Sequence, residues 1–202
     1  RKILQFVKPG VMEYEIEAEI TGEFLRNRSR GHAYSPIIAS GYSACVLHYI
    51  DNDKVCKDGD VILMDFGAEY ANYASDLTRC IPVNGRFTKR QREVYDAVLR
   101  VMREAIKMLC PGVYLDDYKV PQDNREGILY HKEVGKIMES ELIGLGLLDK
   151  TEVKNQKPDA PLYKKYLMHG TSHYLGLDVH DLGFWNRPIQ AGMVFTCEPG
   201  IY

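Results

Sequence analysis

Between Ile37 and Val83, four strand-like runs follow one another at intervals short enough to favour antiparallel pairing, because parallel strands need long crossover connections. The runs are Ile37 to Ala39, Cys45 to Ile50, Val61 to Phe66 and Leu77 to Val83, punctuated by Gly41, Asp58-Gly59 and Asn84-Gly85. A helix precedes them. Met12, Ile16, Ile20 and Phe24 recur at helical spacing after Pro9-Gly10 and before Asn27, and the interleaved Glu13, Glu17 and Glu19 make an acidic face expected to meet solvent. A second helix is predicted from about Thr88, where Thr88 and Gln91 have capping-box spacing and Val94, Val98, Val101, Ala105 and Met108 form the apolar stripe. Cys110-Pro111-Gly112 stops it. A loop containing Pro121 leads to a third helix with Val134, Ile137, Met138, Leu142 and Leu145 on one face; Thr151 to Pro161 reads as an exposed loop, and a β-rich part runs from Tyr166 to the end. This order predicts an α+β fold, a mainly antiparallel sheet flanked by helices, rather than a doubly wound parallel one.

The chain has 202 residues, 45% of them hydrophobic, which fits one domain with a sizeable core. Its net charge of -2 argues against the basic field of a nucleic-acid binder. The cluster Arg26, Arg28 and Arg30 reads as a solvated helix end. No apolar run approaches the roughly 20 residues that cross a bilayer, and no charged-then-apolar signal opens the chain. The first residue is Arg1, so the natural N-terminus is expected upstream. Five cysteines at wide spacing, without a C-x-x-C pair, point to buried thiols in a reducing, cytoplasmic compartment.

Chemistry concentrates in a few segments. Asp65 ends an apolar run, where a carboxylate is costly to bury unless paired or bound to metal. Asp76, eleven residues on, opens L-T-R-C-I-P-V; its bland reading is a turn cap or an ion pair with Arg79. Two strands joined by G-A-E-Y-A-N-Y-A-S would hold both carboxylates near one another. His169, His173 and His180 fall within thirteen residues, H-G-T-S-H-Y-L-G-L-D-V-H-D, a concentration that favours a site over three separate structural imidazoles. Glu198 lies in M-V-F-T-C-E-P-G. Cys197 beside it would point the other way along a strand. No H-E-x-x-H and no G-x-S-x-G occurs, which argues against a helix-borne zinc protease and a serine hydrolase of the elbow type. Two Asp, a His and a Glu form an oxygen-rich donor set of the kind that suits harder divalent ions.

With these segments assembled, the chain resembles the catalytic domain of the Xaa-Pro aminopeptidase (aminopeptidase P) family, in the pita-bread metallopeptidase group that also includes prolidase and methionyl aminopeptidase. A-C-V-L-H-Y around His48, D-F-G-A-E-Y at Asp65, S-D-L-T-R at Asp76, the histidine cluster and T-C-E-P-G-I-Y carry the resemblance, in order and over nearly the whole chain.

The resemblance implies the pita-bread fold and a single catalytic domain over residues 1–202. It also implies an upstream domain, and a second bridging glutamate beyond Tyr202, so that 1–202 alone would bind metal poorly and have little activity. It assigns Asp65, Asp76, His173 and Glu198 as ligands of two divalent ions, Mn²⁺ in the first place with Co²⁺ or Zn²⁺ as alternatives. His48, His169 and His180 become uncoordinated substrate-side histidines, with Glu198 also a proton carrier. The implied reaction is hydrolysis of an N-terminal Xaa-Pro peptide bond by a metal-activated water. The implied partners are peptides with proline second, with no nucleic acid or membrane and with a homo-oligomer left open. Prolidase, which takes Xaa-Pro dipeptides, and a non-catalytic peptide- or protein-binding module remain as alternatives.

Overall fold

The apolar stripe ending at Phe24 folds as expected. In the computed structural model, which describes residues 1–115 and 128–202, α1 (Lys2–Phe6) is followed by α2 (Glu13–Arg26). Met12 N donates to Glu15 Oε2 at 2.8 Å and so opens α2. Ile16 and Ile20 are fully buried on its inner face. The acidic face is not uniformly solvated, however. Glu13 has no exposed surface at all, and Glu17 and Glu19 are half-buried.

The strand-like runs build two three-stranded sheets. One has the order β2 (Ile37–Ser40), β3 (Val61–Asp65), β6 (Thr78–Pro82), antiparallel throughout, with Ile37 opposite Asp65 and Asp65 opposite Thr78. The other pairs β1 (Gly31–His32), β4 (Ala68–Tyr70) and β5 (Tyr73–Ala74). The G-A-E-Y-A-N-Y-A-S connection is thus itself β-structured. Its tight turn is made by Ala71 and Asn72 at φ 52° and 69°.

Two sequence expectations fail here. Cys45 to Ile50 is not a strand. A 3₁₀ turn occupies Gly41–Cys45, and the rest of the run takes no regular structure, with Val46, Leu47 and Ile50 exposed. Burial of the thiols fails in part as well, since Cys45 and Cys110 are exposed, although all five cysteines are free.

The chain divides into two compact units. The first comprises Arg1–Arg92 with Leu175–Asp181 and Tyr202, and the second Glu93–Tyr174 with Leu182–Ile201. The core of the first packs Ile16, Ile20, Ile38, Ile62 and Val83 around the β2-β3-β6 sheet. Most of α3 (Lys89–Met108) belongs to the second unit. Its predicted capping box is present: Thr88 N donates to Gln91 Oε1 at 2.8 Å and Gln91 N to Thr88 Oγ1 at 3.2 Å. Val101 and Ala105 of α3 share a core with Tyr130, Val134, Met138 and Leu142 of α4 (Tyr130–Gly144). The Pro121 loop lies outside the described residues.

Thr151 to Pro161 is not wholly a loop. It begins within α5 (Lys150–Lys154), whose N-cap Asp149 accepts from Thr151 N and Glu152 N. From Tyr166 onward no named strand is described. The expected β-rich part is instead a run of turns and bends with one antiparallel bridge, Tyr174 with Phe195.

One buried imidazole sets a pH dependence. Thr21 Oγ1 donates to Glu17 O at 2.9 Å, so its oxygen accepts from His32 Nε2 at 2.8 Å, while His32 Nδ1 is buried without a partner among the described residues. Burial holds the His32 pKa below the usual imidazole value, and the nearby Glu17 only partly opposes this. The unfolded chain therefore takes up this proton first. Stability is full above about pH 6.5 and falls as the pH drops below that value toward the folded pKa. Urea midpoints are expected to fall between pH 7.5 and 5.5, and His32→Gln, which does not titrate, is expected to flatten that slope. An unaltered slope in the variant would remove His32 from the account.

Candidate metal centre

The register of β3 on β6 decides where the two aspartates go. Asp65 closes β3 opposite Thr78, and pairing continues one step further as Phe66 N donates to Leu77 O at 3.1 Å. Asp76, two residues before Thr78, falls beside Asp65, and both carboxylates meet the same hydroxyl. Tyr34 Oη lies 2.5 Å from Asp65 Oδ1 and 3.1 Å from Asp76 Oδ1. One phenol has one proton, so it serves one carboxylate fully and the other only in part. Burial first, and then the two carboxylates, push the Tyr34 pKa far above the usual tyrosine value, so the group remains a donor. Arg79, the alternative partner for Asp76, donates instead to the carbonyl of Thr78.

Gly67 makes this arrangement sterically feasible. A Cβ there would lie 1.7 Å from Ser75 O and 2.9 Å from Tyr34 Cε1. The glycine of D-F-G therefore marks a close approach of two backbones, next to the carboxylate it follows.

The second pair lies in the other unit. His173 N donates to Thr196 Oγ1 at 3.0 Å, Thr196 N to His173 O at 3.0 Å, and Glu198 N to Thr171 O at 3.0 Å. This ladder brings His173 Nε2 to 3.1 Å from Glu198 Oε1, which also accepts from Thr196 Oγ1 at 2.7 Å. His173 Nδ1 sits 2.8 Å from the carbonyl of Tyr174, an acceptor only, so Nδ1 carries the proton. In the neutral ring the Nε2 lone pair then faces a carboxylate oxygen. Two acceptors at that distance call for a proton or a cation between them. An imidazole with Nδ1 tied to a carbonyl and Nε2 turned toward a carboxylate has the form of a metal-ligating histidine. In chemical type, the donors in the two units fit a divalent ion. Among the described residues no group of three or more His, Cys, Asp or Glu side chains gathers as a metal site, and the four expected ligands stand as one pair in each unit.

The remaining expected site residues divide between the units. His48 and His180 are exposed on loops of the first. His48 has φ 56°, an uncommon conformation outside glycine. The His180 loop is fixed by Ala74 N donating to Gly176 O at 2.8 Å and by Leu177 N donating to Asp181 Oδ2 at 3.1 Å. His169 is in the second unit, with Nδ1 2.7 Å from Gly170 O. Cys197 is poorly placed to act as a nucleophile. Burial raises its thiol pKa, and Tyr130 Oη donates to its sulfur at 3.5 Å.

Sequence reading missed Tyr34, Thr196 and the pairing of His131 with Thr171, whose Nδ1 and Oγ1 are 3.0 Å apart. Each acts on a residue more than twenty positions away, and no local motif announces such a contact.

The profile of metallopeptidase family M24 matches residues 1–202. An Xaa-Pro aminopeptidase of Haemophilus influenzae is 42% identical over the whole chain, which spans 44% of that relative. The Xaa-Pro dipeptidase of Mus musculus is 35% identical, again over all of this chain and 43% of its own length. A solved structure, Zn-substituted Escherichia coli aminopeptidase P in complex with product, superposes with a TM-score of 0.85 at 40% identity, covering 99% of this chain and 43% of that one. The chain thus spans less than half the length of the relatives it matches. The fold is that of aminopeptidase P, the pita-bread α+β fold.

Gly67→Ala is expected to force Ser75 and Tyr34 away from the aspartates and to destabilise the protein by about 3 kcal/mol, the upper part of the range for overpacking. Urea denaturation measures this. A change within experimental scatter would mean that the 66–76 hairpin relaxes freely and that the close approach is not required.

Proposed function

The chain belongs to metallopeptidase family M24, and on that premise we propose that it carries most of the catalytic centre of an Xaa-Pro aminopeptidase, which hydrolyses the peptide bond before a proline at the second position. The observation that carries this reading is the meeting of Asp65 and Asp76 at the Tyr34 hydroxyl, two oxygen donors sharing one proton. Asp65, Asp76, His173 and Glu198 are the proposed ligands of two divalent ions. Mn²⁺ suits their oxygen-rich character best, and Co²⁺ or Zn²⁺ are the alternatives. Such ions, when bound, supply a water of lowered pKa and polarise the scissile carbonyl.

The chain's own residues then have the following work. Glu198 takes a proton from the attacking water and returns it to the prolyl nitrogen as the peptide bond breaks. His48 or His180 donates to the carbonyl oxygen as it gains negative charge, and these two histidines with His169 orient the peptide. Asp65, near the substrate's free amine, favours an exopeptidase over an endopeptidase. Five free cysteines fit a reducing, cytoplasmic setting. No helix among the described residues is long and apolar enough to cross a membrane.

Prolidase is the second reading, favoured by the match to the mouse dipeptidase but at lower identity than the aminopeptidase. A dipeptide and a tripeptide with proline second separate the two. We expect the tripeptide to be cleaved at least as well, and cleavage of the dipeptide alone would decide for prolidase.

Substitutions in the natural full-length protein test the roles. Asp76→Asn is expected to lose most bound metal and nearly all turnover, read by elemental analysis and a peptide assay. A metal-replete, active variant would remove Asp76 from the ligand set. His180→Ala is expected to keep its metal and lose about a hundredfold in turnover. Loss of the metal instead would make His180 a ligand.

A further inference from the structure

We propose that the buried carboxylate of Glu13 is a positioning residue for His48, clamping the entrance, middle and exit of the loop that carries it. The inference rests on the reading of His48 as a substrate-side histidine, and nothing in that reading assigns Glu13 a part. The chain leaves β2 at Ser40 and meets the start of α2 at Lys54, before β3 begins at Val61. Glu13 Oε1 accepts from Ser40 N and from Ser40 Oγ, both at 2.7 Å. Its Oε2 accepts from Tyr49 Oη at 2.8 Å and from Lys54 N at 3.0 Å. Glu13 N donates in turn to Lys54 O at 2.9 Å. One side chain therefore grips the loop at its two ends and at the residue next to His48.

The chemistry of the clamp is specific. A carboxylate with no exposed surface is tolerable only when its lone pairs are met, and four donors meet them here. An amide at this place would turn a donor toward one of those four. The start of α2 adds a favourable field for the anion. The Tyr49 phenol, pushed up to about 12 by burial and then by Glu13, stays protonated and so stays a donor.

The loop needs such a clamp because it holds unfavourable backbone. His48 at φ 56° and Asn52 at φ 47° are non-glycine residues in the left-handed region, where a residue persists only if its surroundings over-determine it. Asn52 has its own fastening. Ile38 N donates to its Oδ1 at 2.9 Å, and its Nδ2 donates to Pro36 O at 3.0 Å and to Glu17 Oε2 at 2.8 Å. At His48 the nearest fastening is the hydroxyl of Tyr49. Removing it leaves the fold's apolar core intact and frees the histidine to leave its conformation.

Tyr49→Phe is the decisive variant, since it keeps the buried ring and deletes only the hydroxyl, with its 2.8 Å bond to Glu13 Oε2 and its longer 3.3 Å contact with Asp53 Oδ1, and it is made in the natural full-length protein. Amide exchange over residues 44–50 is expected to rise about tenfold while α2 and β3 keep their protection, as befits loss of the bond to a buried charged acceptor. On an Xaa-Pro peptide, kcat is expected to fall about tenfold with KM within twofold, the size of a modest misplacement of a reacting group. In a His48→Ala background the same substitution is expected to change kcat by less than about twofold, because its effect passes through the imidazole. Glu13→Gln is expected to raise exchange in the same segment, as in either orientation its amide nitrogen faces a backbone donor, Ser40 N or Lys54 N. Unchanged exchange over 44–50 in both variants, or a full tenfold loss from Tyr49→Phe with His48 already absent, would overturn the proposal. A His48→Ala protein with undiminished kcat would overturn the role of His48 itself and the positioning claim with it, while the exchange data separately report whether Glu13 anchors the loop.

Discussion

The antiparallel register of β3 on β6, with Asp65 opposite Thr78, is the constraint on which the rest depends. A slip of one residue would turn the side chains of a strand to the opposite face. Asp65 would then leave the Tyr34 hydroxyl, and Asp76 would lose the neighbour that makes it part of a pair. The register is held from both sides. Ile62 and Met64 of β3 point into the buried core, so a slip would expose them, and β2 repeats the pairing on the other edge. Gly67 then lets the returning chain come close enough for the second carboxylate to arrive. Packing, register and one absent side chain together place two anions at one hydroxyl.

The loops bearing histidines are held by polar rather than apolar contacts. Exposed loops have little hydrophobic surface to bury, so their conformation depends on hydrogen bonds to groups that are themselves fixed. Glu13 and Asn52 supply these for the His48 loop, and the Gly176 carbonyl and the Asp181 carboxylate do so for the His180 loop. Thr196 has the same office in the second unit, where its hydroxyl and amide bind His173 and its hydroxyl also binds Glu198. In each case a residue outside the proposed site fixes one within it.

Much of this was legible in the sequence, for reasons that differ by element. The helices α2, α3 and α4 follow from stripes whose buried members, such as Ile16, Val101 and Met138, recur at helical spacing. The Thr88–Gln91 cap is local and was readable as such. Type and motif single out Asp65, Asp76, His173 and Glu198, and the structure places Asp65 with Asp76 and His173 with Glu198. Cys45 to Ile50 imitates a strand because it is a short run of apolar, β-branched and aromatic residues, whereas Tyr49 answers to a carboxylate thirty-six residues upstream. Glu13 was assigned to solvent because helical periodicity sees a polar residue but not the donors gathered around it. The β-rich expectation for the part after Tyr166 fails: turns and bends occupy it, and its pairing reduces to the Tyr174–Phe195 bridge.

The central claim is that this chain's Asp, His and Glu donors serve a metal-dependent cleavage of Xaa-Pro bonds. The most direct measurement strips the natural full-length protein with a chelator and titrates Mn²⁺ back while following hydrolysis of a tripeptide with proline second. No turnover is expected in the stripped protein, and full recovery is expected at two equivalents of metal. Undiminished hydrolysis after stripping, or metal binding with no hydrolysis at any stoichiometry, would contradict it.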